Sequence, residues 1–268
     1  MSRQRDDYIG SVQMYKVYIK NIFFSKIFWI AISITLLTFF AGSYQSLIVK
    51  DNALACFECA TVWGPGHIVA MVLSPLPFLV IFSEETQRRA AYYQIVRTSK
   101  RKYIFDQIMA VFTSVMGMGF IVLLVFLLIC KAYDCDFSLA EQAQKLYGLG
   151  IFENIVKNNT ILFYLLVYIS YVLYILPGAF FTMIISCFVK NKYIVFAMPW
   201  IVFRFFQILA LVSGNSYLDW SYASFVGTTM SESLEGMLYC YLYPSALCLF
   251  AIIFYYIIFK RRFVNGKS

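Results

Sequence analysis

The sequence predicts an all-α integral membrane protein with six transmembrane helices. Of its 268 residues, 61% are apolar and 13% are charged, whereas soluble domains usually carry about 25% charged residues. Six apolar runs reach or approach the length of about 20 residues that a membrane-spanning helix requires. Because these runs occupy most of the chain, we expect a single membrane domain with short connections.

Residues 1–26 are predicted to form a cytoplasmic N-terminus with an amphipathic helix. Five apolar side chains recur there at steps of three and four residues: Tyr8, Val12, Tyr15, Ile19 and Ile22. Gln13, Lys16 and Lys20 fall on the opposite face, a pattern typical of a helix that lies in the inner membrane interface. The lysines would then lie near anionic lipid head groups. The alternative is that the first membrane helix simply begins early.

The membrane domain, residues 27–268, is predicted to contain six spans. Their predicted bounds are 27–48, 68–82, 108–130, 161–189, 193–212 and 237–259. The second run is short and contains Pro75 and Pro77, and the fourth is long and contains Pro177 and Gly178. We expect both of these helices to be kinked, since proline removes a backbone hydrogen bond from a helix.

The distribution of basic residues predicts the orientation. Of the 22 Lys and Arg residues, 17 lie in the N-terminal segment, the loops after the second and fourth spans, and the C-terminal segment. The loops on the other side carry only four, namely Lys50, Lys131, Lys145 and Lys157. Basic loops stay in the cytoplasm, so both termini are expected inside, in a multi-pass protein of the bacterial inner (plasma) membrane. This topology accounts for the net charge of +8, and no nucleic-acid partner is expected.

The seven cysteines divide into two groups. Four fall within or at the ends of apolar runs, where cysteine behaves as a small hydrophobe: Cys130, Cys187, Cys240 and Cys248. Cys56, Cys59 and Cys135 fall in segments assigned to the outside, where either a disulfide or free thiols would be compatible with the surroundings. The spacing of Cys56 and Cys59 resembles half a zinc site, but no second pair follows. No metal is therefore expected.

The loop of residues 83–107 carries the strongest functional signal. It begins with Glu84 and Glu85 and becomes basic toward Arg97, a charge order that suits the dipole of a short cytoplasmic helix. Such a helix can present a shaped surface to a soluble partner. The alternative is that the charges only anchor the two neighbouring spans.

In and next to this loop, a set of residues follows a fixed order: Phe82, Ser83, Glu84 or Glu85, Arg97, Ser99, Lys100 and Tyr103. This order resembles that of the permease subunits of type-2 ATP-binding-cassette (ABC) exporters, in which a coupling helix connects two spans. Gln107 is a departure, because a lysine commonly begins the third span. The resemblance implies a dimer with a second permease copy or a paralogue, an ABC ATPase subunit bound beneath the membrane, and an outer hairpin within residues 213–236. The alternative for 213–236 is an interfacial loop with a belt of aromatic side chains. The ATPase-coupling residues would be Glu84, Glu85, Arg88, Arg89, Tyr92, Tyr93 and Arg97.

The motor itself is not expected on this chain. A phosphate loop of the form Gly, four residues, Gly, Lys, Ser or Thr does not occur in the sequence. ATP and Mg²⁺ are therefore expected on the partner, and the chain is expected to be neither an enzyme nor a cofactor-binding protein. It would export an amphipathic or apolar substrate. The alternatives are an integral membrane enzyme, which the single histidine, His67, disfavours, and the substrate-binding subunit of a vitamin importer.

Arg204 is an ionisable residue inside a predicted span. Placing arginine near the bilayer centre costs about 2.5 to 3.5 kcal/mol on the insertion scale, so a compensating role is expected. We predict that Arg204 and Pro177 lie on the transport path or a subunit interface. For Arg204 the alternative is that its side chain extends outward to the membrane surface.

Overall fold

A computed structural model describes most of the chain. The described residues are 15–79, 82, 100–137, 159–189, 191–215, 218–219 and 234–261. Within them the regular structure is helical and no strand occurs, apart from an isolated bridge between Asn52 and Asp136. The prediction of an all-α protein is confirmed for this part of the chain.

Eight helices are labelled in chain order. They are α1 (residues 15–23), α2 (Lys26–Ile48), α3 (Ala53–Glu58), α4 (Gly66–Leu73), α5 (Lys100–Ala132), α6 (Thr160–Ser186), α7 (Lys192–Ser213) and α8 (Leu234–Phe259). Five of them, α2, α5, α6, α7 and α8, are long and apolar enough to cross a membrane. A bent pair, Ala53–Thr61 and Gly66–Leu79, makes a sixth if it counts as one span.

The predicted second span, 68–82, differs most from the structure. Helical structure already begins at Ala53, and the chain bends by 65° before Gly66. The break contains Gly64 and Pro65, between the π-helical turn Cys59–Trp63 and α4, so the main bend precedes the predicted kink at Pro75. The apolar run is short because the first half of the pair also carries polar side chains.

The bent pair packs closely on α2. A Cβ atom at Gly42 of α2 would lie 3.1 Å from the Cα atom of Ala60. Leu54 and Cys56 on α3 are fully buried. The segment that the sequence assigned to an outer connection is thus part of the packed bundle.

The helix α1 is separate from α2. Phe24 and Ser25 interrupt the helical structure, and the Ser25 side chain caps α2 by accepting a hydrogen bond of 3.1 Å from the backbone N–H of Phe28. Tyr18 and Ile22 are buried, and the Tyr15 hydroxyl lies 2.7 Å from Thr113 Oγ1 on α5. The first membrane helix therefore does not begin early, and the interfacial location of α1 stays a prediction.

The core of the bundle is organised around α6, which contacts α4, α5, α7 and α8. It continues through Pro177 as one helix and ends at Ser186, slightly before the predicted bound. A Cβ atom at Gly178 would lie 2.7 Å from Met71 Cγ on α4 and 3.3 Å from Pro199 Cβ on α7. This glycine therefore allows three helices to approach one another closely.

The bundle has two chemically different ends. The basic end is defined by Lys26, Lys100, Arg101, Lys260 and Arg261, at the start of α2 and α5 and just after α8. The acidic end is defined by Asp51, Asp134 and Asp136, just after α2 and α5. The structure thus brings the basic residues of several segments together at one end of the bundle and the acidic residues of others together at the opposite end.

Two matching helix ends close the acidic end. Lys50 follows α2 and Asp134 follows α5, and both adopt a left-handed conformation with φ near 57°. After each helix, backbone N–H groups bond back to carbonyls three and five residues earlier, which is the Schellman pattern. The Lys50 and Asp134 side chains then form an ion pair of 3.1 Å. Both side chains are largely exposed, so this pair contributes little to stability. It does link the ends of α2 and α5.

Candidate functional site

The predicted coupling residues, Glu84, Glu85, Arg88, Arg89, Tyr92, Tyr93 and Arg97, lie outside the described residues. What the structure describes is the point before the loop, at Phe82, and the helix after it, which begins at Lys100. These two points determine how the loop is attached to the bundle.

Both attachment points pack against α8. The Phe82 ring centroid is 6.5 Å from that of Tyr255, and the Tyr103 centroid is 5.6 Å from that of Phe259. Tyr255 and Phe259 are themselves 5.6 Å apart, one helical turn from each other on α8. We call Phe82, Tyr103, Tyr255 and Phe259 the aromatic anchor. All four are fully buried.

A polar contact links the anchor to α5. The Tyr255 hydroxyl donates a hydrogen bond to Oε1 of Gln107, and both side chains are fully buried. Gln107 is the residue that departs from the ABC-exporter pattern. Its amide carbonyl accepts this hydrogen bond, whereas a lysine ammonium has only donors. The residue that departs from the pattern is thus bonded to a tyrosine on another helix.

Sequence reasoning found Phe82 and Tyr103 but missed Tyr255, Phe259 and the role of Gln107. The available signal was the spacing of the two aromatic residues, four apart near the end of the last span, which places them on one helix face. That signal is weak because aromatic residues are common in this chain, at 19%. Their pairing with Phe82 and Tyr103 arises only in the folded bundle.

Arg204 lies on the exposed face of α7. Its Nη1 donates a hydrogen bond of 2.7 Å to Gln207 Oε1, and its guanidinium carbon is 5.7 Å from the centre of the Trp200 ring. Neighbouring side chains on this face, including Phe205 and Ile208, are exposed and apolar. The guanidinium therefore points away from the core of the single chain. A path or an interface at this position requires a second chain.

Pro177 has the opposite environment. It is buried in α6, next to Gly178, where α4, α6 and α7 meet. His67 of α4 packs at the same meeting of helices, with ring centroids 5.3 Å from Tyr174 and 6.1 Å from Phe203. Its Nδ1 also lies within hydrogen-bond reach of the Thr61 carbonyl oxygen. Pro177 thus lies in the buried core of the bundle, whereas Arg204 lies on its exposed surface.

The three cysteines predicted to lie outside do not cluster together. The sulfur atoms of Cys56 and Cys135 are 3.9 Å apart, whereas Cys59 accepts a hydrogen bond of 3.2 Å from the Ser46 hydroxyl. The third cysteine beside Cys56 and Cys135 is Cys130, which the sequence reasoning treated as a simple hydrophobe. The possible outer disulfide among Cys56, Cys59 and Cys135 stays a prediction.

Comparison of the chain with protein-family models, with curated proteins and with solved structures finds no match. The class of protein is therefore defined by its helices. The part of the chain that the structure describes is helical, with five helices, or six with the bent pair, of the length and apolar character that membrane spans require.

Proposed function

We propose that this chain is the permease subunit of a type-2 ABC exporter, with six spans, both termini in the cytoplasm, and ATP hydrolysed by a separate subunit. The observation that supports this best is the aromatic anchor. Phe82, just before the loop, and Tyr103, near the start of α5, pack on residues one turn apart on α8, so the two attachment points of the loop lie close together.

This attachment suits a loop that transmits force. A soluble subunit that displaced the loop would pull on Phe82 and Tyr103 together, and both bear on the last turns of α8. The buried Gln107 hydrogen bond adds a second link between α5 and α8. Since α8 packs along α6, the central helix, movement at the basic end reaches the core. A loop that only anchored two spans would not need a shared buried attachment.

The distribution of charge supports the same orientation. The basic end, where the loop is attached, is the end expected in the cytoplasm. If the bent pair is counted as one span, the number of crossings is even, as a protein with both termini on one side requires. An ATPase would therefore meet the loop beside the basic end.

The exposed face of α7 supports a subunit pair. In lipid an exposed apolar face needs no partner, but Arg204 in its middle carries a cost of insertion. A second permease copy against this face would remove the guanidinium from lipid. The same combination of apolar surface and one cation also suits an amphipathic substrate passing between two subunits.

The proposal is tested by recovering the partner. The tagged chain is purified in mild detergent from membranes of its native host, and co-purifying proteins are searched by mass spectrometry for a phosphate-loop ATPase. We expect such a partner and ATP hydrolysis in the purified complex. Glu85→Lys and Arg89→Glu should lower partner recovery about tenfold or more, because buried like charges at an interface cost several kcal/mol.

Two matched controls make the result specific. Glu141→Lys is the same charge reversal in a segment predicted on the other side, and it should leave recovery unchanged. Tyr255→Ala should keep the partner but lower substrate-stimulated ATP hydrolysis, whereas Tyr256→Ala, at the exposed neighbouring position, should not. Absence of any ATPase from the wild-type complex, or full recovery with both loop variants, would remove the basis of the proposal.

A further inference from the structure

Three cysteine side chains meet at the acidic end, far along the bundle from the aromatic anchor. The sulfur atoms of Cys56, Cys130 and Cys135 all lie within 4.8 Å of one another. Their exposed fractions are 0%, 0% and 7%. We propose that these residues form a binding site for one soft, thiophilic cation of the Cu⁺ or Zn²⁺ type.

The spacing of the sulfurs matches a shared cation. A zinc to sulfur bond is about 2.3 Å, so thiolates around one ion lie about 3.8 Å apart in a tetrahedron and about 4.0 Å apart in a trigonal plane. The Cys56 and Cys135 sulfurs are 3.9 Å apart. Only small side-chain rotations are needed to bring all three sulfurs to bonding distance.

A disulfide fits the cluster less well. It would use two of the three buried thiols and leave the third unused beside the bond. A triangle of mutually close sulfurs is what a cation requires, since thiolate is the ligand that soft cations prefer.

The backbone holds the three residues in place from two directions. The left-handed turn at Asp134 brings Cys135 back over the end of α5, and the Cys135 N–H bonds to the Cys130 carbonyl at 3.0 Å. From the other side, the Ala53 N–H bonds to the Asp136 carbonyl at 2.8 Å, which fixes the start of α3 and thereby Cys56. The ligand residues therefore come from a preorganised site at which two helix ends meet.

Cation binding would be coupled to the protonation of the three thiols. Binding replaces the thiol protons by the cation and releases them to water. The bound ion would tie α3 of the bent pair to the end of α5.

The test uses the full-length chain in detergent, reduced and stripped of metal. Zn²⁺ and, under anaerobic conditions, Cu⁺ are titrated in separate experiments against a colour-forming chelator. We expect one cation per chain, and X-ray absorption at the metal edge should detect sulfur neighbours at about 2.3 Å. Each of Cys56→Ser, Cys130→Ser and Cys135→Ser should weaken binding at least about 100-fold, because losing even an outer-shell partner costs 10 to 100-fold.

Cys59→Ser is the matched control, since Cys59 lies three residues from Cys56 but bonds to Ser46, and it should bind as the wild type does. The absorption measurement needs no variant, so it decides the question even where a serine variant fails to fold. Equal binding by all four variants, no sulfur neighbours at the bound ion, or a Cys56–Cys135 disulfide in chain isolated from membranes with thiols blocked would each overturn the proposal.

Discussion

The neighbouring helices α6 and α7 have the same mean hydropathy over their most apolar stretches but very different environments. In α6, 59% of that stretch is buried inside the bundle, whereas in α7 the share is 22%. The buried residues of α7 form a narrow stripe that includes Val195, Phe203 and Ala210. The buried residues of α6 surround the helix, because four other helices pack on it.

The comparison separates two properties that a hydropathy profile combines. Apolar character determines that a helix can enter the membrane, because lipid and protein interior are about equally apolar. Which faces are buried depends on shape, since packing between helices in lipid is driven by close contact. On α6 Gly178 permits that contact, whereas the exposed face of α7 carries large side chains and Arg204. We therefore assign the core to α6 and propose that the exposed face of α7 contacts another chain.

A loss of stability is expected from filling the space beside Gly178. Gly178→Leu should destabilise the chain by about 1 to 3 kcal/mol, because the added carbons meet Met71 and Pro199. The gain in helix propensity over glycine, about 1 kcal/mol, offsets part of this loss. Thermal unfolding in detergent measures the change. Ala246→Leu, a similar enlargement at an exposed position of α8, should leave the midpoint unchanged, and equal midpoints for both variants would refute the packing argument.

A matched pair of deletions tests the difference between the helices directly. Phe180 on α6 is 1% exposed and Phe205 on α7 is 59% exposed. Phe180→Ala leaves a cavity of roughly 100 Å³, which at about 24 cal/mol per Å³ costs about 2 kcal/mol. Phe205→Ala leaves no cavity in the single chain and should change its unfolding midpoint little. If Phe205→Ala proved the more destabilising variant, α7 would be the better packed helix and the comparison would be reversed.

The smallest effect on stability, and the most informative for assembly, is expected at Arg204. Arg204→Leu removes a charge from an apolar face, so the variant should insert at least as well as the wild type. If this face meets a second copy, the variant should lose most of the dimer that light scattering or cross-linking in membranes detects. Arg204→Lys keeps the charge and should retain part of the dimer. An unchanged dimer in the leucine variant would instead place Arg204 at the lipid surface.

The helix bounds were predicted unevenly. For α2, α7 and α8 the predicted spans differ from the observed helices by at most three residues at each end. The start of α5 was predicted at 108, whereas the helix begins at Lys100. Hydropathy marks where a helix becomes apolar, and the polar first turns of α5 are helical without being apolar. The predicted outer hairpin in 213–236 falls mainly outside the described residues.

The bent pair shows why part of the fold could not be predicted. Its first half contains Glu58 and Thr61 and is followed by Gly64 and Pro65, so neither length nor hydropathy marks it as membrane-embedded. It is buried because Gly42 on α2 lets its backbone approach. That contact joins residues far apart in sequence, and no local pattern encodes it.

Local sequence patterns were enough to predict helices of membrane-spanning length and apolar character and to separate the basic from the acidic segments. Both follow from local quantities, namely the length of apolar runs and the positions of charged residues. Three other features arise only in the folded bundle: the packing of Tyr255 and Phe259 on Phe82 and Tyr103, the outward direction of Arg204, and the approach of Cys130 to Cys56 and Cys135. Each of these depends on the rotation and close approach of helices, which are set by side-chain shape across the whole bundle.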